Sequence, residues 1–231
     1  MAEHTVASFD DDLREIGQII DGMGELAGTM VGGATKALLS ADVALAQRVA
    51  SDDIVMDERQ RELDSRAITL IARRQPMADD LRSVLGAIRM AGDLERIGDL
   101  AKNIAKRVGA VGENAVPRDL SHSIEGMAHL VLEQVDDVIR DYAAGDAAAL
   151  TLLRASDESI DARYTAVFRE LLTYMMEDPR NITACTHLLF CAKNLERIGD
   201  HVTNIAENAY YILTGEQLPP NRPKRDETAA A

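Results

Sequence analysis

The 231-residue chain carries 39 Asp and Glu against 25 Lys and Arg, a formal net charge of −14. Phosphate backbones are held by basic stripes and none is evident, so free nucleic acid is excluded, and a cation or a basic protein surface is the better expectation. Hydrophobic residues make up 46% but aromatics only 3%, with no Trp. Any core must therefore be built from Leu, Ile, Val, Met and Ala, the palette of a helical bundle.

The opening MAEHTVASFDDD lacks the basic and apolar regions of a signal peptide. The most apolar early stretch, Leu26–Leu39, is short and contains Lys36, so no bilayer span is expected and the chain reads as soluble and cytoplasmic. Helical periodicity then predicts helices over 9–40, 42–74 and 78–109, and after a break at GAVGENAVP (Gly109–Pro117), over 119–144, 146–177 and 180–213. Cys185 and Cys191 lie on the last of these without a CxxC motif, which points to buried thiols in a reducing compartment. The tail EQLPPNRPKRDETAAA is Pro-rich and charged, so disorder is expected over 216–231.

The chain is one unit written twice. LERIGD occurs at Leu94–Asp99 and again at Leu195–Asp200. SADVALAQRVASDDIVMD (Ser40–Asp57) matches AGDAAALTLLRASDESID (Ala144–Asp161) at an offset of 104 (157 less 53), and the later helices match at 101 (196 less 95). The difference falls at the turn between the second and third helix of each half, where an insertion disturbs nothing else. The expected architecture is all-α: two tandem, pseudo-symmetric antiparallel three-helix bundles, over 1–110 and 117–215.

At 100° per residue, Ile97, Ala101, Ile104 and Val108 share one stripe, and Leu195, Ile198, Val202, Ile205 and Ala209 repeat it. Glu95, Asp99 and Asn103 form a polar row beside the first stripe, and Glu196, Asp200 and Asn204 beside the second, with Glu207 further along. The preceding helices carry a second acidic pair, Asp53 with Asp57 and Asp157 with Asp161. Positions 53 and 99, and 57 and 95, share a midpoint at Pro76; the second-half pairs centre beside Pro179. A hairpin bent at each proline brings four carboxylates to one height, roughly 28 Å from its turn at 1.5 Å per residue. Gly98 and Gly199, placed between stripe and row, would let the neighbouring helix approach closely.

An isolated i, i+4 pair of acids ordinarily marks a solvated face, and Arg96 and Arg197 are at hand to pair with such acids. Four converging carboxylates are different. Two like charges about 4 Å apart repel by on the order of 4 kcal/mol at an effective dielectric near 20, so the acids must splay, take up protons or hold a cation. Repetition of the whole constellation favours the cation. Oxygen ligands suit Mg²⁺, Ca²⁺ or Mn²⁺, and carboxylate clusters also hold iron. A ferritin-like diiron oxidase would need Glu-x-x-His, but Gly98 and Gly199 occupy that position. His201 points about 100° from its neighbour Asp200, and His187 reads as a buried polar residue. GTMVGGATK (Gly28–Lys36) lacks the GK[ST] ending of a P-loop. No catalytic constellation is found.

The acidic-xxx-Asp pairs, the second written E-R-I-G-D and followed by N-I-A, resemble the PhoU family of phosphate-signalling proteins. The resemblance runs from FDDDLREIG at Phe9 to Glu216, and LERIGDHVTNIAENAYYILTGE is similar to that family's C-terminal signature. It implies multinuclear metal clusters (iron, zinc, manganese or magnesium) on Asp53, Asp57, Glu95 and Asp99 and on Asp157, Asp161, Glu196 and Asp200. It also implies a cytoplasmic negative regulator of the phosphate-starvation response, often a homodimer. Its partners would be the ATPase subunit of the phosphate ABC transporter and a sensor histidine kinase, with the membrane reached only through them. Glu207, a candidate extra ligand, corresponds to Lys106 in the first half, which predicts a smaller or weaker first cluster. The competing reading is a carboxylate-bridged metalloenzyme on a helical bundle.

Overall fold

Two short junctions show how the repeat is built. Ala41 and Gly145, equivalent by the offset of 104, both adopt left-handed backbone, with φ of 53° and 69°. The amide of the following aspartate closes the helix behind it, Asp42 N–H on Ala37 O at 3.0 Å and Asp146 N–H on Asp141 O at 2.9 Å. The same aspartates open the next helix, their carboxylates accepting from Leu45 N–H and Ala149 N–H, each at 2.9 Å. One residue thus ends one helix and caps another, in both halves.

The computed structural model describes residues 2–112, 118–155 and 157–218, without the side chains of 2–8, 118, 119, 155 and 157. The first half consists of α1 (Ala2–Ser40), α2 (Val43–Arg74), α3 (Asp79–Ala105) and a single turn, α4 (Val108–Val111). The second consists of α5 (Arg118–Ala144), α6 (Ala147–Ala155), α7 (Asp157–Glu177), a 3₁₀ turn (Pro179–Asn181) and α8 (Ile182–Thr214). No strand occurs among the described residues, and no helix there is long and apolar enough to cross a membrane. The tandem three-helix architecture read from the repeat is present. The helix expected over 146–177 is described as α6 and α7 on either side of position 156. The expected break spans 109–117, of which 113–117 lie outside the described residues, as do 219–231 of the expected disordered tail.

Both bends fall where the prolines predict. α2 ends on Gln75 in left-handed backbone, its N–H on Ile71 O, immediately before Pro76. Pro179 opens the 3₁₀ turn, capped by the Asp178 carboxylate on Arg180 N–H at 3.0 Å. One expectation needs correction: the helix predicted to run to 109 stops at Ala105. Arg107 N–H bonds to Ile104 O at 3.0 Å, a tighter i→i+3 turn that redirects the chain and seats Val108 and Val111 in the core.

The halves share one continuous core, from Ile16 on α1 to Ile212 on α8. α1 packs on α2, α3 and α5, and α3 lies along α8. α3 and α8 run antiparallel. Arg82 Nε donates to Ile212 O at 3.2 Å near one end, Asp93 meets His201 in the middle, and Arg107 stacks on the Phe190 ring at 4.4 Å near the other. The predicted stripes on α3 and α8 are buried throughout. Both thiols are buried, and desolvation pushes that of Cys191 up to about 12, which makes it an inert core group.

Candidate metal centre

The hairpin of α2 and α3 does bring the first acidic row together. A methyl group on Gly98 would stand 3.2 Å from Met56 Cγ, so the bare glycine lets α2 lie close against α3 at this height. Asp53 from α2 and Asp99 from α3 meet across a cation that the sequence reading did not assign. Lys102 Nζ lies 2.6 Å from Asp53 Oδ2 and 2.6 Å from Asp99 Oδ1. The Asp53 side chain is 11% exposed and that of Lys102 20%. Burial works against the lysine's charge, and the two carboxylates outweigh it, holding its pKa above the ordinary lysine range.

The remaining acids of this row also have basic neighbours. Arg96 reaches Glu95 at 3.5 Å and Asp99 at 3.4 Å, and Arg61 reaches Asp57 at 4.0 Å. Glu95 nonetheless has its pKa raised, by burial first. Arg96 partly offsets this, while Asp99, Asp57 and Asp53 add to it.

In the second half α7 and α8 bring Asp161 to Glu196 and Asp200. The Asp157 side chain lies outside the described residues. The Glu196 pKa is raised by burial, lowered in part by Lys193, and raised again by Asp200 and Asp161. Glu196 Oε1 accepts from Lys193 Nζ at 2.7 Å, but Oε2 is buried with no donor among the described residues. Thr203 stands where the repeat would place a second Lys102; its hydroxyl donates to Gly199 O at 3.1 Å.

The two rows therefore fit a metal ion differently. Among the described residues no three carboxylate, imidazole or thiol groups form a ready-made cage. The second row fits better, because the unpaired Glu196 oxygen is the kind of hard donor that Mg²⁺ or Mn²⁺ takes. The first row, as folded, is already filled by an ammonium group.

Glu207 does not join the second row. It lies roughly 16 Å along α8 from Glu196 at 1.5 Å per residue, and pairs with Arg154 Nε at 3.0 Å. The structural difference between the two rows lies at Lys102 and Thr203, not at Lys106 and Glu207. Asn103 and Asn204 are exposed, and Asn204 Nδ2 donates to Asp93 Oδ1 at 3.4 Å. His201, turned from the row as its azimuth predicts, places Nδ1 2.9 Å from the same Asp93 oxygen. His187 is half-buried, with Nδ1 3.1 Å from Arg107 Nη1. Asp93, His201, Arg154 and Glu207 line a cleft of about 970 Å³ between α3 and α8, which Glu95 and Arg96 also border. Sequence reasoning missed Asp93 and Lys102. Lys102 carried a usable signal, three residues after Asp99 on the same helical face.

The PhoU domain family matches residues 20–108 and 124–209, one copy per half. The phosphate-specific transport system accessory protein PhoU homolog of Rhizobium meliloti (strain 1021) is 54% identical over 226 residues, covering 98% of this chain and 95% of its own. The protein of the same name from Caulobacter vibrioides (strain NA1000 / CB15N) is 47% identical over 226 residues, with 98% of each covered. The crystal structure of PhoU from Pseudomonas aeruginosa superposes with a TM-score of 0.86 at 34% identity, over 90% of this chain and all of that one. The phosphate transport system regulatory protein PhoU from Streptococcus pneumoniae gives 0.83 at 30%, over 91% of this chain and 99% of that one. With the repeated helical hairpins, the twin acidic rows and full-length relatives all agreeing, the chain belongs to the PhoU family.

Proposed function

We propose that this protein is a non-catalytic, cytoplasmic accessory of phosphate transport. It restrains the phosphate-starvation response by linking the ATPase subunit of the phosphate ABC transporter to a sensor histidine kinase. The observation that carries this reading is the 54% identity, over nearly the whole of both chains, to a phosphate-specific transport system accessory protein. The formal charge of −14 suits docking on basic surfaces of membrane-bound partners. A homodimer completes the proposal, as the family resemblance implies.

The acidic rows are proposed as cation sites, with Asp157, Asp161, Glu196 and Asp200 the row whose chemistry is better matched. A divalent ion there would satisfy the buried Glu196 oxygen, whose pKa is raised by burial first and by Asp200 and Asp161 second. It would supply charge neutralisation and a rigid surface rather than bond-making chemistry.

Deletion of the gene should switch on phosphate-starvation genes in phosphate-rich medium, and loss of the kinase should reverse that effect. Starvation genes that stay silent on deletion, together with metal-dependent turnover by the purified protein, would replace the regulator with a metalloenzyme.

A further inference from the structure

The family resemblance implies a metal cluster on each row, the first smaller or weaker, but the two rows differ in kind. In the first, the position that a bridging ion would take, between a carboxylate of α2 and one of α3, is held by Lys102 Nζ at 2.6 Å from each. Divalent ions bind carboxylate oxygens at about 2.0–2.6 Å, so an ion would need the very oxygens the ammonium already holds. Arg96 and Arg61 supply further positive charge to the other acids of the row. An incoming ion must therefore dislodge the lysine, break two charge-assisted hydrogen bonds and approach a cation-rich patch. In the second row the equivalent position is Thr203, which is neutral. Lys193 there pairs with Glu196, feels the charge of Asp200 as well, lies over the Tyr164 ring at 5.2 Å and is 47% exposed. It leaves Glu196 Oε2 without a donor among the described residues.

We propose that Lys102 is the built-in cation of the first half, taking the place of a metal ion, so that divalent cations load through the second half alone. The first half is then a permanent salt-bridged lock between α2 and α3. Any response of this chain to metal comes from the α7–α8 hairpin. The proposal rests on the second row's binding metal, as read above, and the test separates the two.

The full-length protein is stripped with chelator, equilibrated with Mn²⁺ and assayed for metal per chain by elemental analysis. In the parent protein, Mn²⁺ should be lost with E196Q/D200N and unchanged by D53N/D99N. Lys102→Met should raise the metal content about twofold, since two similar rows then load instead of one, and adding D53N/D99N should remove the gain. Lys102→Gln serves as a second variant, with helicity and melting temperature checked for each. In chelator both Lys102 variants should melt lower than the parent, and Mn²⁺ should restore them. If D53N/D99N strips metal from the parent protein as well as E196Q/D200N does, the lock is overturned and metal binding stands. If the second row loads but neither Lys102 variant gains metal, the lock is again overturned. If the parent takes up no Mn²⁺ but the Lys102 variants do, exclusion by Lys102 stands and the second-row reading falls. No Mn²⁺ on any variant overturns both.

Discussion

Glu196 offers a direct measure of how much strain the second row stores. One carboxylate oxygen accepts from Lys193, the other is buried without a donor among the described residues, and the group also feels the charges of Asp200 and Asp161. A buried polar atom left without a partner costs about 1–3 kcal/mol. Glutamine keeps the shape, still accepts from Lys193 and offers an N–H to the neighbouring acids. Part of the cost persists because the amide must also be buried. Glu196→Gln should therefore stabilise the metal-free protein by about 1 kcal/mol, a rise in Tm of about 2–4 °C for a chain of this size. The sign with pH follows from linkage. Because the folded pKa is raised above the unfolded value, the favourable contribution of the protonated group is complete below the unfolded pKa and lost as pH rises through the folded one. The advantage of the glutamine variant should accordingly be absent in acid and grow toward neutral pH. Thermal melts monitored at 222 nm in chelator, run across that range, are the assay. A lower Tm for the variant at pH 7, or an advantage that shrinks as pH rises, would refute the account of the Glu196 environment.

The twin junctions provide a matched pair of backbone tests. Ala41 sits at φ 53°, where a side chain costs about 1–2 kcal/mol, so Ala41→Gly should stabilise by about 0.5–1 kcal/mol after the extra unfolded-state entropy of glycine. At the equivalent Gly145, where an added methyl meets nothing within 4 Å, Gly145→Ala should destabilise by about 1 kcal/mol, and urea midpoints check both signs. Gly24→Ala on α1 would place its methyl 2.5, 2.9 and 3.2 Å from three carbons of Ile139 on α5. One χ2 rotation cannot clear both branches, so net destabilisation of about 1 kcal/mol should remain after the gain in helix propensity. An unchanged midpoint would show that α1 and α5 are less tightly packed than this.

Much of the fold could be read because the signals were local and doubled. The apolar stripes on α3 and α8 and the proline bends each depend on a few neighbouring residues, and each was written twice. Shared midpoints about Pro76 brought Asp53 to Asp99 correctly, because an antiparallel hairpin has only one register once its bend is set. The early end of α3 left no such trace. No glycine or proline stands at 106 or 107; the turn forms so that Val108 and Val111 can reach the core, a tertiary demand. The Asp93–His201 contact was equally hidden. Periodicity gives the direction in which His201 points, but not that an antiparallel α3 will present Asp93 there.

Lys102 was hidden for a different reason. Repeat analysis gives weight to what recurs, and Lys102 with Thr203 is a place where the copies disagree. Its azimuth, about 80° from Leu94, lies within 20° of Glu95 on the ideal helical wheel, so the sequence did contain its placement. What the sequence lacked was the reach of its side chain across to α2. That reach places an ammonium inside a like-charged row, where Asp53, buried on a helix and otherwise costly, gains a partner at 2.6 Å. The second copy has threonine in that place, and its Glu196, raised in pKa by burial first, meets no equivalent of the Lys102 ammonium among the described residues. A duplicated unit with an ammonium built into one copy and a threonine in its place in the other gives the two hairpins different chemistry toward external cations, and on the proposal above only the second would take up metal.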